Sequence, residues 1–320
     1  MRIRASLPGV RDLQLNLRSS ETVASAKRKV CSKLGIEYDY TNLLFGGKSL
    51  PDKTRLARLD LRGRSLIVDY LWARHLLLWG QDGQRKIRES QIMLVGAGAI
   101  GNEVAKNLAM LGVKQLKIVD RDLVELSNTS RMVFFSPKDV GKPKADRLAA
   151  KLQAAYPYTT AKPINASVES VPLSEIIDSD LIVCGLDNVL SRIYLSEISR
   201  KYLIPIVDGG LTGYQARVQV YVPPDWPCPI CPFPSQNYAQ LAGLRNPCDA
   251  PAEEARIPSL PTTVSMVSAV QTQEAVKLLI GYDSYRTTGK WPESVGEPLA
   301  GILIADLKFN RYSVMQLKRN

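Results

Sequence analysis

A single histidine, His75, stands in this chain of 320 residues. That scarcity removes the Ser/His and Cys/His pairs on which many nucleophilic enzymes depend, unless His75 itself serves. Cysteine is also sparse: five residues scattered from Cys31 to Cys248, an odd count that indicates no disulfide framework and suits a reducing, cytoplasmic compartment. No apolar run reaches the roughly 18 residues that a membrane helix needs. The opening "MRIRASLPGVRDLQLNL" has no apolar segment behind its charges, so neither a membrane span nor a secretory signal is expected. Acidic residues are in deficit, 31 against 42 Lys and Arg, which leaves a net charge of +11 and favours acidic partners. The basic residues are dispersed and no base-stacking motif accompanies them, so nucleic acid is not an expected partner.

The first 70 residues read as a unit. "IRASL" and "LQLNL" alternate apolar and polar residues around the turn "PGVRD" and predict a hairpin. "SETVASAKRKVCSKLGI" opens on a capping cluster and continues at helical spacing, and "NLLFGGKSL" and "SLIVDYL" supply later strands. The order β-β-α-β-β over residues 1–70 describes a small β-grasp domain. The stretch "NLLFGGKSLPDKTRLARLDLRGRSLIVDYL" resembles ubiquitin in order and spacing. A conjugated ubiquitin ends in a free Gly-Gly carboxylate, whereas this chain runs on through "VDYLWARHLLLWG", so the unit is not expected to be a modifier. It is expected either to dock a partner protein or to stabilise its neighbour. Cys31, inside the predicted helix, is expected in its core.

Residues 71–90 are expected to form a helix and linker, and from residue 91 the pattern changes. Apolar runs "IMLVG", "LKIVD", "DLIVCG" and "IPIVDGG" alternate with helical stretches "NEVAKNLAML", "KADRLAAKLQAA" and "VLSRIYLSEISRKY". This alternation predicts an α/β fold with a mostly parallel sheet, Rossmann-like, over residues 91–320. "QARVQVYVPP", a long irregular stretch at about 223–263, the helical "TVSMVSAVQTQEAVKLLIG" and two terminal strands, "GILIADL" and "YSVMQLK", complete it.

"IMLVGAGAIGNEVAKNL" puts Gly96, Gly98, Ala99 and Gly101 between a strand and a helix, where close backbone approach and unpaired N–H groups favour phosphate. Asp120 ends the next strand, where an acid can accept a hydrogen bond from a ribose hydroxyl. Taken alone, these features point to a dinucleotide. Downstream, however, stand Asn128, Arg131 and Lys144, then Asp187 and Asn188 at the end of another strand. Hydride transfer has no use for two cations and an extra carboxylate near the phosphates. Opening a triphosphate does, because charge develops on the leaving pyrophosphate.

The segments "WARHLLLWGQDGQRK", "VGAGAIG", "DRDLVELSNTSR", "GKPKA" and "LDN" are similar, in order and spacing, to the ubiquitin-activating enzyme superfamily. That superfamily includes adenylyltransferases for sulfur-carrier proteins, and the resemblance runs from about residue 70 to 320. It implies ATP and Mg²⁺, a ubiquitin-like protein partner with a C-terminal glycine, and a homodimer. It assigns the ribose to Asp120, the phosphates to Asn128, Arg131 and Lys144, and the Mg²⁺ to Asp187. Arg74 resembles the arginine that a partner subunit inserts toward the triphosphate. Met132 stands where many members carry Gln.

"PPDWPCPICPF" supplies Cys228 and Cys231, two of the four ligands a structural zinc requires, or else a redox pair. Cys184 ends an apolar strand and is expected to be buried. Family members that pass a ubiquitin-like protein onward carry a nucleophilic cysteine after this C-x-x-C and before an Arg-x-Pro element. "LRNPCDAPAEEARIPSLP" resembles that arrangement with Cys248 as nucleophile, Arg245 and Arg256 as nearby cations, and Asp249 where Thr is usual. The implied activity is adenylation, then thioester formation on Cys248 and transfer to a conjugating enzyme. An adenylyltransferase that stops at the acyl-adenylate, and a non-catalytic partner subunit, remain the alternatives.

Overall fold

The computed structural model describes residues 2–10, 12–61, 64–186, 189–231 and 258–317. Two compact units, Met1–Arg85 and Lys86–Asn320, divide the chain within the segment expected to link its domains.

In the first unit β1 (Arg2–Ser6), β2 (Leu13–Asn16), α1 (Val23–Leu34), β3 (Thr41–Phe45), β4 (Lys48–Ser49) and β5 (Ser65–Tyr70) follow one another. They build a five-stranded sheet in the order β2-β1-β5-β3-β4, with β1 and β5 parallel and the remaining pairs antiparallel. Alternation decides the faces: Ile3, Ala5, Leu15, Leu43, Leu66 and Val68 are buried, whereas Arg4, Gln14, Asn42 and Ile67 point outward. Thr22 caps α1, its side chain accepting a hydrogen bond from the Ser25 N–H, and Val23, Ala26, Val30 and Cys31 form the buried stripe. The helix α2 (Ala73–Glu89) is broken at Gly80, which adopts φ 68° and ψ −174°.

The second unit runs β6 (Gln91–Val95), α3 (Ala99–Leu111), β7 (Gln115–Val119), α4 (Lys144–Ala155), β8 (Thr160–Ile164), α5 (Leu173–Ile177), β9 (Leu181–Cys184), α6 (Val189–Tyr202), β10 (Ile206–Thr212), β11 (Gln215–Tyr221), α7 (Pro261–Thr288), β12 (Ile302–Asp306) and β13 (Arg311–Met315). Its eight-stranded sheet has the order β13-β12-β11-β10-β9-β6-β7-β8. The five strands β6 to β10 pair in parallel, and the run β10-β11-β12-β13 is antiparallel. Both faces of the central strands are buried. Met93 and Val95 share a core with Ile176, Leu195 and Ile198, while Ile92 and Leu94, pointing the opposite way, are also fully covered. Continuous burial explains why these strands read as unbroken apolar runs.

Three elements differ from the sequence expectations, one of them the short helix α5, which was not expected. The edge strand β8 was not expected either, because Lys162 and Pro163 interrupt its apolar pattern; at an edge, a proline without an N–H is tolerated. Helix α7 continues past Gly281 to Thr288. A Cβ at Gly281 would stand 2.8 Å from the Trp291 ring, so glycine there lets the helix and that ring pack together. Among the described residues no helix is long and apolar enough to cross a membrane.

Candidate nucleotide site

The chain leaves β6 toward β7 and β8 on one side and returns to β9 and β10 on the other, so β6 and β9 flank the switch point of the sheet. In open α/β sheets that crevice, at the carboxyl ends of the strands, is where ligands bind. Two turns line it: Gly96–Gly101 after β6 and Gly185–Leu186 after β9.

The first turn is fixed by close backbone contact. Gly96 has φ 101°, and a Cβ on it would lie 2.8 Å from the Gly185 carbonyl oxygen. A Cβ on Gly101 would come within 1.9 Å of the Gly96 carbonyl oxygen, so the start of α3 can lie against the loop only with glycine at that position. Gly98 is the N-cap of α3 and offers no side-chain cap, which leaves the first-turn N–H groups to a ligand. Asn102, fully buried, completes the clamp. Its amide donates to the Ala97 carbonyl at 2.8 Å and the Gly98 carbonyl at 3.0 Å, and its Oδ1 accepts from the Phe134 N–H at 3.2 Å. These bonds tie the loop to the first turn of α3 and to the segment before Phe134.

Asp120 lies at the carboxyl end of β7. Its Oδ2 accepts from the Ala97 N–H at 2.7 Å and its Oδ1 from the Asp122 N–H at 2.8 Å, so it ties the glycine loop to the next turn. Each oxygen keeps a second lone pair for a ribose hydroxyl. Burial pushes its carboxyl above the ordinary range, against the pull of Lys144.

Lys144 opens α4, and its Nζ donates to Asp122 Oδ2 at 2.8 Å. The Lys144 N–H also binds the Asp122 carbonyl at 2.9 Å, so the two segments are laced together. Asn128 is buried within a short 3₁₀ turn, where its Oδ1 accepts from the Glu125 N–H at 2.9 Å. Arg131 donates to the Ser127 carbonyl at 2.8 Å. Asn128 and Arg131 are thus occupied locally. Met132 is buried, with its methyl group 4.0 Å from the position of a Cβ on Gly98. Asp187, Asn188, Cys248, Arg245 and Arg256 lie outside the described residues. Arg74 is exposed on α2 in the first unit.

Cys228 and Cys231 bring their sulfurs to 3.0 Å, and the Cys228 N–H donates to the Cys231 sulfur at 3.2 Å. The buried Gln219 amide holds the Pro227 and Cys228 carbonyls at 3.2 and 2.9 Å. Burial and the neighbouring thiol push Cys228 up to about 11. The pair fits two of zinc's four ligands; among the described residues no group of three or more His, Cys, Asp or Glu gathers to hold a metal. Cys184 is fully buried, and burial raises its thiol well above the usual value.

Sequence reasoning passed over Asn102 and Asp122. The signal for Asn102 was a polar residue on the apolar face of a helix, directly after the last loop glycine. For Asp122 it was a second acid two residues beyond Asp120.

An open α/β sheet with a glycine turn, an acid and an anchored lysine at its switch point defines a Rossmann-like nucleotide-binding domain. Residues 72–319 match the ThiF family, and the chain belongs to that family and through it to the ubiquitin-activating enzyme superfamily. Residues 1–71 lie outside that match. The chain is 34% identical to the SAMP-activating enzyme E1 of Haloferax volcanii, over 70% of this chain and 76% of that protein. It is 28% identical to the molybdopterin-synthase adenylyltransferase of Escherichia coli, over 75% of this chain and 88% of that one. Among solved structures, Escherichia coli MccB with ATP shares the fold at a TM-score of 0.61 and 19% identity, with 78% of this chain and 72% of that chain covered.

Proposed function

We propose that the chain activates a ubiquitin-like protein with ATP: its site adenylates the partner's C-terminal glycine, Cys248 takes the acyl group as a thioester, and a conjugating enzyme receives it. The observation that carries this reading is the switch-point site, where the glycine loop, Asp120 and the Asp122–Lys144 pair converge in a chain of the ThiF family. The likeness to an activating enzyme E1 and to an adenylyltransferase supports the same chemistry.

The donor set fits a triphosphate. N–H groups at the start of α3 receive phosphate oxygens, Asp120 accepts from the ribose, and Lys144 offers its cation to the chain of phosphates. Asn128 and Arg131 join once their local partners release them. Asp187, with Asn188 beside it, would hold Mg²⁺, which supplies charge neutralisation for the leaving pyrophosphate. An oxygen of the partner's carboxylate attacks the α-phosphorus as the bond to the β-phosphate breaks and pyrophosphate leaves. The Cys248 thiolate then attacks the acyl carbon, and AMP departs with the electron pair.

The first unit is the proposed docking module, a ubiquitin-like β-grasp; its sheet order and the helix between β2 and β3 support this. Loss of transfer with adenylation intact, on deleting residues 1–70, tests it. The chain is proposed to act as a cytoplasmic homodimer with Arg74 reaching toward the partner's triphosphate, which light scattering and an Arg74→Ala variant test. Zinc at Cys228 and Cys231, or a redox pair there, is decided by elemental analysis of the purified chain.

A second reading stops at the acyl-adenylate; the length of the likeness to the molybdopterin-synthase adenylyltransferase favours it. Pyrophosphate release with ATP, Mg²⁺ and a Gly-terminated ubiquitin-like protein, run beside a non-reducing gel, separates the two. Pyrophosphate with a thiol-sensitive adduct supports activation and transfer; pyrophosphate alone supports the second reading; neither product overturns both.

A further inference from the structure

Asp208, on β10, is a carboxylate with no exposed surface. A buried charge is tolerated only when paired and hydrogen-bonded. Arg192, on α6 and itself buried, supplies the partner: its Nε lies 3.1 Å from both Asp208 oxygens. Arg217, on β11, adds Nη2 at 2.7 Å from Oδ2. Neutralising Asp208 would end there, yet Arg192 also reaches beyond it. Its Nη2 donates to the Leu186 carbonyl at 2.5 Å, in the turn that leaves β9.

That turn is the far wall of the nucleotide crevice. Gly185 sits so near the glycine loop that its carbonyl oxygen is 2.8 Å from a Cβ placed on Gly96, and a Cβ on Gly185 would meet the Ile100 side chain at 3.1 Å. From the opposite face of the sheet Gln271, on α7, donates to the Cys184 carbonyl at 2.8 Å and the Val207 carbonyl at 3.3 Å. The faces are opposite because Gln271 occupies the space a Cβ of Gly209 would fill, and successive residues of a strand point opposite ways. The end of β9 is therefore held from both sides, by an amide on one face and a guanidinium on the other.

We infer that Arg192, fixed by Asp208, is a positioning residue: it holds the Gly185–Leu186 turn against the glycine loop and so sets the wall from which the chain continues to Asp187. The inference rests on the proposed adenylation for its consequence to activity, and on the geometry alone for its structural content. Lysine cannot replace the arginine, because a single ammonium cannot reach both Asp208 and the Leu186 carbonyl from fixed directions.

The test compares hydrogen exchange of the full chain, without nucleotide, for wild type, Arg192→Lys and Asp208→Asn, alongside KM for ATP and kcat in pyrophosphate release. Amides of residues 96–101 and 185–186 are expected to exchange faster in both variants while those of β7 keep their protection. KM for ATP is expected to rise on the order of tenfold, since small misplacements at a reacting centre cost this much or more. Unchanged exchange at both turns overturns the inference, and so does a uniform loss of protection across the unit or failure of both variants to fold, which would make the pair a core element only. Selective loosening of the turns in a protein that releases no pyrophosphate even as wild type leaves the positioning role standing and rejects the adenylation reading instead.

Discussion

Lys144 Nζ stands 2.8 Å from Asp122 Oδ2, and the backbones of the same two residues are joined by a second hydrogen bond of 2.9 Å. The lysine side chain is 12% exposed and the aspartate 36%. A partly exposed pair of this kind contributes about 1 kcal/mol or less to stability, so its more informative property is aim. Asp122 holds the lysine near enough to Asp120 to act on its carboxylate, and in the proposed function it aims the cation at the triphosphate. Lys144→Met is expected to lower the rate of pyrophosphate release on the order of a hundredfold, as loss of one charge-stabilising donor does. Asp122→Asn is expected to weaken it less, with little change in melting temperature for either. Steady-state rates and a thermal melt check both statements; full activity in Lys144→Met would remove the lysine from the chemistry.

Gly101→Ala is a sharper probe of the loop. The added methyl would stand 1.9 Å from the Gly96 carbonyl oxygen, far inside contact distance, and backbone on both sides cannot step aside cheaply. The expected cost is about 1–3 kcal/mol of stability, as for other overpacked sites, together with loss of ATP binding. Calorimetric titration of the full chain with ATP measures it. Wild-type affinity in this variant would mean that the loop does not cradle phosphate.

The strands β6, β7, β9 and β10 were legible because each is buried on both faces over most of its length and is therefore largely apolar, with Lys117 and Asp208 as buried exceptions held by ion pairs. Their loop was legible because Gly96 and Gly101 have no substitute. β8 was not, since an edge position tolerates Lys162 and Pro163 and erases the pattern. The resemblance assigns Asn128 and Arg131 to the phosphates, and their local partners in the structure, a capping bond to the Glu125 N–H and a bond to the Ser127 carbonyl, were not legible in the sequence. Partners such as Asp208 for Arg192, sixteen positions away, follow from strand register and helix packing, which composition and period do not encode.

Asp139 offers a pH-dependent check on the turn that precedes α4. It is 1% exposed and would be driven up by burial, but hydrogen bonds from Lys151, Ser136 and Arg147 outweigh that and hold it well below the usual carboxylate range. A depressed folded value means that its contribution to stability is complete above the unfolded carboxylate value of about 3.9 and is lost as pH falls from there toward the folded value. Asp139→Asn is expected to lower stability by about 1–3 kcal/mol at pH 7, because a charge-assisted network is broken in a buried place. The gap between wild type and variant should close as the pH of the denaturant titration drops below about 4. A gap constant across that range would show that the carboxylate's charge is not what stabilises the turn.

The cysteines divide the chemistry between two places, and substituting them one at a time separates the steps. Cys184 is buried with its thiol raised far above neutral pH, and Cys228 is pushed up to about 11, so both are mostly protonated and poor nucleophiles at pH 7. Cys31 is likewise raised by burial in the first unit. The resemblance of the segment "LRNPCDAPAEEARIPSLP" to that of family members with a nucleophilic cysteine assigns the proposed thioester to Cys248, with Arg245 and Arg256 as cations near it in sequence. Cys248→Ala is expected to keep pyrophosphate release, which depends on the switch-point site, and to lose the thiol-sensitive adduct entirely. Cys228→Ser and Cys231→Ser are expected to form the adduct still, because a serine at either position leaves the acceptor thiol untouched. A non-reducing gel of the four proteins, each charged with the ubiquitin-like partner and ATP, reads all of these at once. An adduct persisting in Cys248→Ala and vanishing in Cys231→Ser would move the nucleophile to the C-x-x-C turn, where the Cys228 N–H already donates to the Cys231 sulfur.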